Sequence, residues 1–269
     1  MTITDVDQDY VPTDLWPSAS TMLQGFGAPS LPASDALSGR TLDIVYENGW
    51  VITHEFAADG TIRWTITEGE GAGESGTHPY RAVEVRPGIY FIDFLKEEGT
   101  RQHDVSIVVN LEDGKVTVAD TGLVNRRGEV RTRTDIMSGR LQGMGAVEPR
   151  PRSEQLVGKR IYYRYSETEA YEHVYFNAGT VAWQCVKGGE KGVADVEQIK
   201  VFELDEDIVI YFWTETVLPV DSFLVVDLRY RRSIGRMFFW EQTTLEPVRL
   251  PFDSRFTVLN ETVYPDDEA

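Results

Sequence analysis

Cysteine is almost missing from this chain: Cys185 stands alone among 269 residues. An internal disulfide is therefore excluded, as is a cysteine-based metal site or redox pair, and a reducing compartment, the cytoplasm, is expected. Positive charge is also scarce. Lys and Arg number 26 against 44 Asp and Glu, a formal net charge of −18. A phosphate backbone or an anionic lipid surface would be repelled, so neither nucleic acid nor membrane is an expected partner. No apolar run is long enough for a spanning helix, and the opening MTITDVDQDYVPTDLWPSAS has neither the basic start nor the apolar stretch of a secretory signal. The histidines, His54, His78, His103 and His173, are dispersed without an H-x-H or H-E-x-x-H pair, so no metal site is expected. The serine-hydrolase elbow and the P-loop are lacking too. A G-x-G-x-x-G string does occur from Gly71 to Gly76, but no helical pattern follows it, and it reads as a loop rather than a dinucleotide site.

What is present is β texture. Apolar residues make up 41% and charged residues 26%, the balance of a folded globular protein. Residues 1–37, with Pro12, Pro17, Pro29 and Pro32, show no sustained period and read as an irregular N-terminal arm. From Leu42 onward short alternating runs rich in Val, Ile, Thr and aromatics are separated by turn signals such as Asn48-Gly49, Asp59-Gly60, Pro87-Gly88 and Asp113-Gly114. Residues 144–155, MGAVEPRPRSEQ, are poor in apolar groups and read as a linker between units 38–143 and 156–269. A shift of 119 residues lays one unit on the other, Tyr46 on Tyr165, Trp64 on Trp183 and Gly88–Phe94 on Asp207–Trp213. The expectation is an all-β protein of two tandem antiparallel β-barrels, because closing a sheet removes its unpaired edges. Residues 193–202 fit either a short helix or a strand with its loop, and the proline-bearing tail from Thr243 reads as an extended surface segment with an acidic frayed end.

Tyr163 and Tyr165 are two apart and so share one face of a strand; pointing inward, their phenols would offer donors to a carboxylate or carbonyl. Aromatics at that period also simply fill a β core, and spacing alone does not separate the two. Glu215 ends the apolar run IVIYFWTE, where burial beside Trp213 would raise its pKa toward proton-transfer duty; a carboxylate at the strand's wet end is the equal alternative. Lys187 and Lys191 in KGGEKG offer charge to an anionic substrate, or are plain solvated turn residues. Cys185 reads as a small buried hydrophobe.

Tyr46-Glu47-Asn48-Gly49-Trp50, Asp59-Gly60-Thr61-Ile62 and Gly88-Ile89-Tyr90 resemble the first strands of bacterial phenolic acid decarboxylases, and Tyr163-x-Tyr165 with Trp213-Thr214-Glu215 is similar to their site. With two such units in tandem the chain resembles the MoaF family, named for molybdenum cofactor biosynthesis, whose domains are calycin-like, or lipocalin-like, barrels. The residues show no pterin or molybdenum site. The resemblance implies cofactor-free decarboxylation in the second barrel, with Tyr163, Tyr165 and Glu215 as catalytic residues, Trp213 and Trp183 lining the substrate site, and Lys191 where the decarboxylases have an arginine. The first barrel keeps only Tyr46 of that set, with Ile44 and Lys96 at the other places. Two functions are weighed: a cofactor-independent lyase or isomerase acting on a phenolic or conjugated organic acid, and a non-catalytic binding or carrier protein for a small aromatic ligand. The first barrel would then buttress the second or form a homodimer contact.

Overall fold

A computed structural model of the protein describes residues 11–98, 101–263 and 265. Residues 1–10 of the expected arm and the last four residues lie outside it. The chain forms two closed antiparallel barrels of eight strands each, as the β texture and the internal repeat lead one to expect. The first comprises β1 (Thr41–Tyr46), β2 (Val51–Phe56), β3 (Thr61–Glu68), β4 (Ser75–Arg86), β5 (Ile89–Glu98), β6 (Arg101–Asn110), β7 (Lys115–Arg126) and β8 (Glu129–Leu141). Ile44 paired with Leu141 closes it. The second comprises β9 (Lys159–Arg164), β10 (Ala170–Asn177), β11 (Thr180–Lys187), β12 (Ala194–Asp205), β13 (Ile208–Thr214), β14 (Val220–Asp227), β15 (Arg232–Glu241) and β16 (Glu246–Glu261), closed by Phe256 against Tyr163.

Two ambiguous segments are resolved by pairing. Residues 193–202 fall mostly in β12, where Val196 meets Ala182 and Val201 meets Tyr211, so the apolar spacing served a barrel stave. The tail is more than a surface crossing. Its second half, residues 255–261, pairs with β9, whereas its first half, residues 246–255, which holds Pro247 and Pro251, pairs with β15. Proline cannot donate to a ladder, and here it sits where β16 has a partner on one side only.

β13 and β14 are buried on both faces, which explains why their sequences run apolar without alternation. One face fills the second barrel. The other, with Ile208, Ile210, Phe212, Phe223 and Val225, packs on Val83, Val85, Ile89, Phe91 and Val108 of the first barrel. Two arginines are sealed in this contact. Arg86 holds Asp227 in a fork, Nε to Oδ2 at 3.0 Å and Nη2 to Oδ1 at 2.7 Å. Arg236, fully buried, pairs with Asp104 and donates to Ser106 Oγ at 3.0 Å and to the Asp221 carbonyl at 3.1 Å. The connecting residues join in: Arg150 donates to the carbonyls of Leu204 and Lys115, at 3.2 and 3.0 Å, one from each barrel.

The N-terminal arm is irregular apart from a 3-10 turn at Thr13–Leu15 and one short helix, α1 (Ser20–Phe26). Met22 and Phe26 are buried in the core of the second barrel, so the arm caps that barrel. Among the described residues no helix is long and apolar enough to cross a membrane.

Candidate active site

Alternation along β9 turns Ile161 and Tyr163 inward and leaves Arg164 exposed; Tyr165, just beyond, continues the inward row and packs on the same core. Cross-strand neighbours His173, Trp183, Tyr211 and Trp213 do the same from β10, β11 and β13, making an aromatic interior. Its upper end is a cavity of about 370 Å³ of empty space, solvent at the mouth included. Tyr165, Tyr171, His173, Trp183, Trp213, Glu190 and Glu215 line it, with Met22 and Phe26 as its roof. Phe26 stacks on Tyr165, ring centres 4.2 Å apart and planes within 15°.

The structure brings Tyr165, Trp183, Trp213 and Glu215 to one cavity and separates the other two expected residues from it. Tyr163 lies beneath, its hydroxyl 2.8 Å from that of Tyr175 and its ring against His173. Its phenol is used within the core. Lys191 is exposed on the β11–β12 turn and borders no part of the cavity, and Lys187 donates instead to the Glu167 carbonyl. The turn projects these side chains away from the barrel because its two glycines close over a buried acid: Gly189 N–H donates to Glu169 Oε1 at 2.9 Å, and a side chain on Gly188 would collide with that carboxyl. Cys185 is buried in the core, and burial pushes its thiol up to about 12.

Glu190, between the two lysines, is the site residue that sequence reading passed over. It is buried, accepts a hydrogen bond from Tyr171 OH at 2.8 Å, and burial raises its pKa to about 7. A lone acid flanked by lysines in a glycine turn looks solvated, and only Tyr171, 19 residues earlier on the neighbouring strand, signals otherwise. Glu215 is half-buried at the cavity rim, its Oε1 3.4 Å from Trp213 Nε1. Burial first, then the neighbouring Glu190 and Glu197, hold its pKa well above the usual carboxylate range. Glu197 also fixes the backbone beside it, accepting from Thr216 N–H at 2.9 Å and Thr216 Oγ1 at 2.9 Å. His173 is neutral, burial lowering it to about 3. Trp183 Nε1 has no protein partner although the residue is buried.

Glu215 also borders an open cleft whose far wall is the β7–β8 hairpin of the first barrel, with Arg126, Arg127 and Arg131. Arg131 ties that hairpin to the Glu215 loop, donating to the carbonyls of Thr216 and Val217 at 3.1 and 3.2 Å. Positive charge thus reaches the rim of the second barrel from the first, a placement that no motif within the second unit could signal. Among the described residues no cluster of His, Cys, Asp and Glu is arranged to hold a metal ion.

Fold and site together define a tandem antiparallel-barrel protein whose second barrel encloses an aromatic cavity with two carboxyl groups of raised pKa. Family models assign the same two halves, the MoaF N-terminal domain matching residues 14–125 and the MoaF C-terminal domain residues 150–262. The chain belongs to the MoaF family. It is 32% identical over 197 residues to Protein MoaF of Klebsiella aerogenes, covering 68% of this chain and 75% of that one. A crystal structure from Burkholderia vietnamiensis, provisionally named a beta-lactamase, aligns over 42% of this chain and all of its own, at 17% identity and a TM-score of 0.33; a likeness that slight says nothing of activity.

Proposed function

We propose that the second barrel binds a small conjugated organic acid and, without a cofactor, moves a proton on it as a lyase or isomerase, with Glu215 as the proton donor. The observation that carries this is the position of Glu215 at the junction of two surfaces, the aromatic cavity on one side and the arginine cleft on the other. A flat conjugated body suits Tyr165, Trp183 and Trp213, while its anionic group meets Arg126 and Arg127 at the mouth. The arginines thus take the part expected of Lys191.

Two carboxyls of raised pKa in one cavity can serve as an acid–base pair. Glu215, its pKa raised by burial and by its acidic neighbours, donates; Glu190, titrating near neutrality, is the acceptor within the same lining. Tyr165 has its phenol raised by burial, so it serves as a hydrogen-bond donor to a substrate oxygen. In a decarboxylation the electrons of the breaking C–C bond enter the conjugated system and the Glu215 proton takes the place of the departing carbon dioxide. The unpartnered Trp183 Nε1–H adds a further donor for a ligand oxygen.

Incubating the protein with 4-hydroxycinnamate and related conjugated acids, while following both binding and the substrate absorbance, tests this reading. The expected result is consumption by the wild type and binding without consumption by Glu215→Gln. Full turnover in the variant removes Glu215 from the chemistry. Binding without consumption by the wild type supports the carrier reading, which the roofed, aromatic character of the cavity also favours.

A further inference from the structure

The first barrel holds a cavity of its own, about 440 Å³ of empty space with its open mouth included, lined by Tyr46, His54, Trp64, Phe94, Lys96 and Asp120 among aliphatic residues. Lys96 stands at the same place in the repeat as Glu215, and its ammonium lies 4.3 Å from the centre of the Trp64 ring. Trp64 is 6% exposed, yet among the described residues its Nε1 has no hydrogen-bond partner, and neither has the buried His78 Nε2. The two nitrogens converge. A methyl group placed on Gly76 would stand 2.8 Å from each of them, so only a glycine there lets both rings pack against the strand. An indole N–H can only donate, and leaving such a donor buried without an acceptor is unfavourable. Among the described residues the Nε1 of Trp183, the counterpart of Trp64 in the other barrel, is unpartnered in the same way, at an equivalent, cavity-lining position.

We propose that the first barrel is a second ligand site, which takes a small monocarboxylate with its acid group between Trp64 Nε1 and Lys96 and its apolar body among Ile52, Ile66 and Val118. A carboxylate oxygen supplies the acceptor that the indole lacks, and the ammonium balances its charge. His54 beneath is neutral, burial lowering it to about 4, and so places no competing charge there. Asp120 also borders the cavity, with His103 Nδ1 2.8 Å from its Oδ1; it opposes a second acid group and limits the ligand to a single one. The inference stands apart from the reading of the second barrel, because no residue is shared between the two linings.

The test follows the indole N–H resonance of Trp64, assigned with Trp64→Phe, while the full-length protein is titrated with benzoate, hexanoate and the matching amides. The expected result is a saturable downfield shift with a carboxylate, weakened about tenfold or more with the amides and in Lys96→Gln, and unaltered in Glu215→Gln. Should the carboxylates and amides act alike, should Lys96→Gln bind as the wild type does, or should the Trp64 resonance stay fixed through the millimolar range, the proposal is overturned.

Discussion

Lys96 and Glu215 occupy the same rung of the repeated strand, one in each barrel, and carry opposite charge. The ammonium of Lys96 sits on the face of Trp64, and the carboxyl of Glu215 sits 3.4 Å from Trp213 Nε1. The repeat gives two similar aromatic interiors, and Lys96 opposite Glu215, together with Ile44 opposite Tyr163, gives them different polar linings. Each end of each barrel is then decided by what roofs it. In the second barrel the roof is α1 and the β11–β12 turn, both packed on buried acids.

Stability should fall as pH rises through the neutral range. Glu190 and Glu197 both titrate near 7 because burial disfavours their charge, against 4.5 for an ordinary glutamate. Between those values the folded chain holds protons that the unfolded chain has released, so unfolding is favoured increasingly with pH until the folded groups also ionise. Each accounts for about 3 kcal/mol at most. Thermal unfolding at pH 5 and pH 8 should show a lower midpoint at pH 8, with the difference reduced in Glu190→Gln.

Breaking the buried pair between the barrels should be costly. Arg236→Ala removes the close partner of Asp104, which is itself fully buried and keeps only the more distant Arg249 at 3.9 Å, and removal of one partner of such a pair costs about 3–5 kcal/mol. Urea unfolding checks this. Asp104 has its pKa raised by burial and by nearby Asp93, with Arg236 opposing, so the loss in Arg236→Ala should shrink as pH is lowered and Asp104 takes up a proton.

Shortening the roof should open the cavity. Phe26 is buried and stacked on Tyr165, so Phe26→Ala should cost about 3 kcal/mol while both barrels remain closed, because α1 contributes no strand to either. Stopped-flow binding of a conjugated acid should then show faster association than in the wild type, and equal rates would mean that the ligand enters elsewhere.

The barrels were legible because their pattern is local. Turn pairs such as Asn48-Gly49 and Asp113-Gly114 mark hairpins, and the match of Tyr46 to Tyr165 and Trp64 to Trp183 reports the repeat directly. Glu215 was legible for a similar reason, an acid at the end of a buried strand. Lys191 misled because a glycine turn hides which of its charged residues faces inward; the carboxyl of Glu169 under Gly188 and Gly189 decides that, and it lies on the preceding hairpin. Arg126 and Arg127 could not be anticipated at the second site, since they arrive through packing of one barrel on the other. Tyr163 shows the limit of period-two reasoning: it faces inward as the spacing requires, but one layer below the cavity, against Tyr175.

The protonation of one carboxyl in solution is the most direct probe of how the second barrel works. With the side-chain carboxyl carbons labelled and Glu215 assigned through Glu215→Gln, its resonance can be followed across pH in the free protein. Burial and the acids around it predict a carboxyl that ionises well above the usual glutamate range. A carboxyl that ionises near 4.5, like a glutamate in water, would contradict the account and leave the cavity without its proton donor.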